Sequence, residues 1–169
     1  MVASGSFDDD QLNTQAARQF GCDPDYNVYT KRANPHPHTK NKNLRSAGGH
    51  VHVGTDKNPW EMGKVLDLML GVPSVITDPD WQRRSLYGKA GAIRIKPYGL
   101  EYRTLSNFWI WNTESIEWVY HQTEEAINYC DEFTAECSEE QSLEIQACIN
   151  SNNKELAKKI VKAWSITTQ

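Results

Sequence analysis

The sequence predicts an α+β protein with a mostly antiparallel sheet, and two observations carry that prediction. Short segments alternate apolar and polar residues, HVHVG at 50–54 and AIRIK and LEYR on either side of PYG at 97–99. Helical periodicity fills one segment between them and most of the chain after residue 113. Strands with one embedded helix, then a run of helices, is the order of an α+β domain.

Residues 1–44 form a loop-rich lead-in, rich in Asp, Asn, Pro and Thr and without a sustained period of 2 or 3.6. FGCDPDYNVY at 20–29 is its compact aromatic patch, with one short strand expected near 26–30. In LRSAGGHVHVG a strand sends Val51 and Val53 to one face and His50 and His52 to the other. A helix follows, capped by Asn58, opened by Pro59, with Met62, Val65, Leu66, Met69 and Leu70 on one side. Gly71 and Pro73 should end it. Residues 75–91 are polar and turn-rich, with no element expected.

The next stretch reads as a hairpin turning at Pro97-Tyr98-Gly99. Ile93, Ile95, Leu100 and Tyr102 then share one face, and Arg94, Lys96, Glu101 and Arg103 the other. From 113 to 169 the pattern is helical. Thr113 is the expected N-cap of a helix whose apolar side holds Ile116, Val119, Tyr120, Ile127 and Cys130. Ser138 and Gln141 have capping-box spacing, and a last helix after Asn153 carries Leu156, Ile160, Val161 and Trp164.

A chain of 169 residues suits one domain, here residues 1–169. Hydrophobic residues are somewhat sparse at 38%, but six tryptophans supply large side chains for a core. The net charge of −4 argues against a general nucleic-acid or membrane-surface binder. Without an apolar run of membrane length or a signal-like start, a cytoplasmic location is expected. Cys22, Cys130, Cys137 and Cys148 form no CxxC pair and read as reduced, packed thiols.

Three strand-like segments each carry two charge-capable side chains at i and i+2: His50 with His52, Arg94 with Lys96, and Glu101 with Arg103. Side by side, they would make a polar sheet face on which cations meet phosphate oxygens and a carboxylate with an imidazole holds a metal. Glycines beside the histidines would let a ligand approach the backbone closely. The plainer reading is a half-exposed sheet on which Glu101 pairs with Arg94 or Arg103 across strands. His36 and His38, among prolines, read as a solvated loop, and His121 as helix surface or packing.

Taken in order, RSAGGHVHVG, a helix with LDLMLGVPS, and YGKAGAIRIKPYGLEYRTLSNFW resemble the phage-encoded COOH.NH2 ligases of type 2. These sit in the glutamine synthetase and glutamate-cysteine ligase superfamily, and the similarity runs from about residue 20 to 135. The resemblance implies a glutamine synthetase-like sheet with helices on one face. It also implies that His50 and Glu101 bind Mg2+, that His52, Arg94, Lys89 and Lys96 contact ATP, and that Arg103 steadies the transferred phosphoryl group beside Glu101. Asp23 and Asp25, upstream of the histidine strand, would be further metal ligands, or a turn that caps a loop. The superfamily's early acidic strand has no counterpart before FGCDPDYN, so the chain reads as the C-terminal two-thirds of a ligase, lacking the N-terminal strand region.

The reaction so implied uses ATP and Mg2+ to turn a small-molecule or peptide carboxylate into an acyl phosphate that an amine converts to an amide. Phosphoryl transfer rests on positioning and charge, which accounts for the lack of a serine or cysteine nucleophile pattern. A non-catalytic nucleotide- or peptide-binding remnant and a metal-dependent hydrolase using the histidines are the alternatives. Expected partners are a second copy of the chain or a separate N-terminal segment.

Overall fold

The computed structural model describes residues 3–18 and 25–168. The lead-in contains β1 (Ser4–Ser6), the single turn α1 (Gln15–Arg18), β2 (Tyr26–Asn27), β3 (Arg32–Ala33) and β4 (Leu44–Ser46), followed by β5 (Val51–Gly54). Then come α2 (Pro59–Leu66), α3 (Val72–Thr77), α4 (Trp81–Leu86), β6 (Ala92–Lys96) and β7 (Gly99–Tyr102). The chain closes with α5 (Thr113–Glu136), α6 (Glu139–Ser151) and α7 (Lys154–Ala163). β1 pairs with β4 in a small sheet, and a five-stranded sheet runs in the order β3-β2-β6-β7-β5 with every pairing antiparallel. The protein is α+β, as the alternation and the helical periods predict.

Register decides what each face carries. His52 lies opposite Glu101, and Glu101 opposite Arg94. Val51, Tyr102, Ile93 and Tyr26 form the adjacent row, and a slip of one residue would exchange the two sets. Val53, Leu100, Tyr102 and Ile93 are buried on the apolar face, against a core that α2 and α3 build with Met62, Val65, Leu66 and Val72. Gly99 makes the turn possible at φ +142, a conformation side chains rarely adopt, and a Cβ there would strike the Val53 carbonyl.

Asn58 caps α2 through the Trp60 N–H and Pro59 opens it, as expected. Gly71 and Pro73 do not end the helix. A π turn at Asp67–Gly71 joins α2 to α3, with the Val72 N–H reaching the Asp67 carbonyl five residues back. Pro73 follows a ladder already displaced by that turn, so its missing N–H is tolerated at the start of α3. Gly71 serves close packing: a Cβ would come within 2.7 Å of both Ile149 Cδ1 and Tyr102 Oη.

The segment read as turn-rich forms α4, capped by Asp80 through the Arg83 N–H. Its buried residues are Arg83 and Arg84, so hydrophobic periodicity gave no sign of it. Arg84 bonds Ser74 Oγ at 3.0 Å and pairs with the equally buried Asp78 at 3.5 Å. The N-cap of α5 is Asn112, bonded to the Ser115 N–H, rather than Thr113. Its buried face holds Trp118, Val119, Ala126, Cys130 and Phe133, leaving Ile116 and Tyr120 exposed. The larger area of Trp118 and Phe133 sets that orientation. Ser138 and Gln141 form the capping box of α6, and Asn153 caps α7. Cys130 and Cys148 are buried free thiols and Cys137 a half-buried one, whereas Cys22 lies outside the described residues. Among the described residues no helix is long and apolar enough to cross a membrane.

Candidate active site

Glu101 is the hub of the polar sheet face, itself only 4% exposed. Its Oε1 lies 2.8 Å from His50 Nδ1 and accepts from Arg103 Nη1, and its Oε2 lies 3.3 Å from Arg94 Nη1 and 3.5 Å from Lys96 Nζ. Arg103 Nε reaches Asp25 Oδ2 at 3.3 Å, and Asp25 Oδ1 accepts from Asn34 at 2.9 Å. His52 extends the row to the sheet edge, its Nδ1 2.6 Å from the Tyr98 hydroxyl. Of the residues singled out in the sequence, His50, Arg94, Lys96, Glu101, Arg103 and Asp25 are thus brought together, with His52 beside them. Lys89 offers its carbonyl to Thr104 at 2.9 Å, and among the described contacts its side chain joins none of these groups. Asp23 lies outside the described residues.

Arg83 is the site residue that sequence reasoning missed. From α4 it donates to the backbone carbonyls of Arg103 at 3.1 Å and Leu105 at 3.2 Å, gripping the chain just after β7. The DPDW cap preceding QRR was the available signal, but a helix whose inward face is arginine has no apolar period to detect. Burial, then the nearby Arg103 charge, lowers the Arg83 pKa to about 10, which leaves it charged at neutral pH.

Gly48 and Gly49 do not open the backbone to a ligand. A Cβ on Gly48 would enter the His50 ring and lie 2.7 Å from Arg83 Nη2, and one on Gly49 would strike the Ser106 carbonyl and Trp109 Nε1. The glycines let the chain's own groups pack around His50.

Burial, reinforced by Arg103 and Arg83, lowers the His50 pKa to about 4, so the imidazole is neutral at pH 7. With its proton on Nδ1 it donates to Glu101. Burial works to raise the Glu101 pKa, but Arg103 and Arg94 outweigh it and hold the carboxyl below its ordinary value. Three cationic side chains, Arg94, Lys96 and Arg103, pair with two carboxylates, Glu101 and Asp25, while Arg83 behind them has Asp78 and Asp80 as neighbours. The excess is positive, and it suits phosphate oxygens.

A divalent cation is a different matter. Both Glu101 oxygens and both Asp25 oxygens are engaged by the chain's own donors, and among the described residues no three His, Cys, Asp or Glu side chains are grouped to hold a metal. Mg2+ prefers about six oxygen ligands in octahedral geometry. The described residues fit a polyphosphate and do not by themselves fit Mg2+.

Below this face a carboxylate ties the site strands together. Asp67, fully buried in the π turn, accepts from Tyr102 Oη at 2.7 Å and Tyr29 Oη at 2.8 Å, and from the Gly91 N–H. Those donors sit beside Glu101 and Arg103, just past β2, and just before β6. Burial drives the Asp67 pKa up to about 7, although these hydrogen bonds pull it down.

Residues 40–168 match the model of the phage phiEco32-like COOH.NH2 ligase-type 2 family. The chain belongs to this family. No curated protein and no solved structure matches it. The family's name indicates a carboxylate-amine ligase, and the match includes every strand of the polar face from β5 onward. It begins after Asp23 and Asp25 and continues through α6 and α7, so the C-terminal helices that the sequence reading placed beyond the resemblance are part of the family's domain.

Proposed function

We propose that this COOH.NH2 ligase uses ATP to join a carboxylate to an amine through an acyl phosphate. The observation that carries the proposal is the face centred on Glu101 and Arg103, where Arg94, Lys96 and Arg103 outnumber the carboxylates Glu101 and Asp25. In the first step a carboxylate oxygen bonds to the γ-phosphorus of ATP as the bond to ADP breaks. In the second the amine nitrogen attacks the acyl carbon, phosphate leaves with the electron pair of the C–O bond, and the amine proton passes to solvent.

Arg94 and Lys96, which pair with Glu101, would take phosphate oxygens. Arg103, fixed through its own carbonyl by Arg83 and through its guanidinium by Asp25, would meet the charge that develops on the transferred group. Neutral His50 holds Glu101 without adding positive charge. A His50 pKa near 4 makes it a poor general base at pH 7, so the work of the face is positioning and electrostatics. No step is routed through Mg2+.

ADP release that requires both a carboxylate and an amine supports the ligase, and Arg103→Ala should abolish it while the fold persists. ADP release indifferent to the acceptor would reject it. Engagement of Glu101 and Asp25 by the chain's own donors favours a second reading, a binding protein that holds ATP without turning it over. Its mark is ATP affinity with no ADP under any acceptor.

A further inference from the structure

The sheet is clamped on both of its faces across β6. β2, β6 and β7 are neighbours in that order, so β2 and β7 lie about 10 Å apart with β6 between them. On the polar face Arg103 Nε reaches over β6 to Asp25 Oδ2 at 3.3 Å. On the opposite face the Tyr102 and Tyr29 hydroxyls donate to the two oxygens of Asp67, at 2.7 and 2.8 Å. Alternation along β7 joins the two clamps: Tyr102 points inward between Glu101 and Arg103, which point outward. At the other end, the Val28 N–H bonds the Gly91 carbonyl at 3.0 Å and carries the β2–β6 pairing on towards Tyr29, shortly after Asp25. The Gly91 N–H is a further donor to Asp67, just ahead of the strand that bears Arg94.

Asp67 is fully buried in the π turn between α2 and α3, and π turns concentrate at functional sites. Core packing alone does not call for it. A buried carboxylate costs more than an apolar side chain of the same size, and what it adds is two short charge-assisted bonds that hold their donors in place.

We propose that Asp67 is a positioning residue for the polar face: by holding Tyr102 and Tyr29 on one carboxylate, it sets the separation of Arg103 from Asp25 and with it the aim of the Arg103 guanidinium at phosphate oxygens. The role rests on the reading that this face receives the phosphates of ATP. Asp67 lies beneath the sheet and acts only through the two tyrosines. Loss of either hydroxyl frees one side of the inner clamp while the ring stays in the core, and a small misplacement of a charged contact is enough to weaken it.

The test uses Tyr29→Phe and Tyr102→Phe, which remove one hydroxyl each, so that either serves if the other fails to fold. Two readouts are taken on the folded protein: the Nε–H resonance of Arg103, assigned with Arg103→Lys, and ATP affinity by calorimetry. Each variant should shift the resonance and weaken ATP binding about tenfold. Asn112→Ala, which removes the cap of α5, should change neither and so separates positioning from a general loss of stability. A resonance that stays in place in both variants, a shifted resonance with ATP affinity unchanged, or an equal effect in Asn112→Ala would each overturn the proposal. A wild type that binds no ATP would overturn the reading of the face instead, and the resonance would then decide on its own whether Asp67 positions Arg103.

Discussion

Replacing Asp67 by Asn should change how stability depends on pH. The ordinary carboxyl value for this group is 3.8, and burial raises it to about 7 in the folded protein. A folded-state pKa above the unfolded one means that the folded protein holds the proton more tightly. The contribution of the carboxyl is therefore whole below about pH 4 and is lost as pH rises through about 7. Roughly three units at about 1.4 kcal/mol each give about 4 kcal/mol. Asparagine keeps the shape and an acceptor for the Tyr102 hydroxyl, and its charge does not change with pH. Urea unfolding of both proteins from pH 4 to 8 isolates the Asp67 contribution as the difference between them. Wild type should lose about 4 kcal/mol relative to Asp67→Asn across that range. A difference that stays constant with pH would refute the assignment of a proton to buried Asp67.

The NMR titration of His50 should have its midpoint near 4, as burial and the flanking arginines require, and a midpoint near 6.5 would mean that the ring is not buried beside Arg103. Gly48→Ala should destabilise by about 1–3 kcal/mol in thermal or urea unfolding, because its Cβ overlaps the His50 ring. Asn112→Ala should cost about 1 kcal/mol in the same assay, whereas Thr113→Ala should be close to neutral; the reverse order would restore Thr113 as the cap.

The polar face was legible because a period of two leaves little freedom. Once HVHV, AIRIK and LEYR are strands, burying Val53, Ile93 and Leu100 aligns His52, Arg94 and Glu101 on the other side. Helices with side-chain caps were equally visible at Asn58, Ser138 and Asn153. Other features depend on tertiary context. Arg83 and Arg84 turn inward only because carbonyls after β7, Ser74 and Asp78 wait for them. Asp67, in the apolar run LDLML, looks like the solvent-facing side of a helix until Tyr29 and Tyr102 are seen converging on it. The orientation of α5 fell between two overlapping apolar sets, and Trp118 with Phe133 decided it.

The central claim is that the Glu101 face receives the phosphates of ATP. The most direct measurement is ATP affinity by calorimetry for the wild type and for Arg94→Gln, with adenosine as the control. The account predicts that ATP binds, that adenosine binds far more weakly, and that Arg94→Gln loses about tenfold or more of the ATP affinity, as expected for a charge-assisted phosphate contact. Equal affinity of the two proteins for ATP would contradict it.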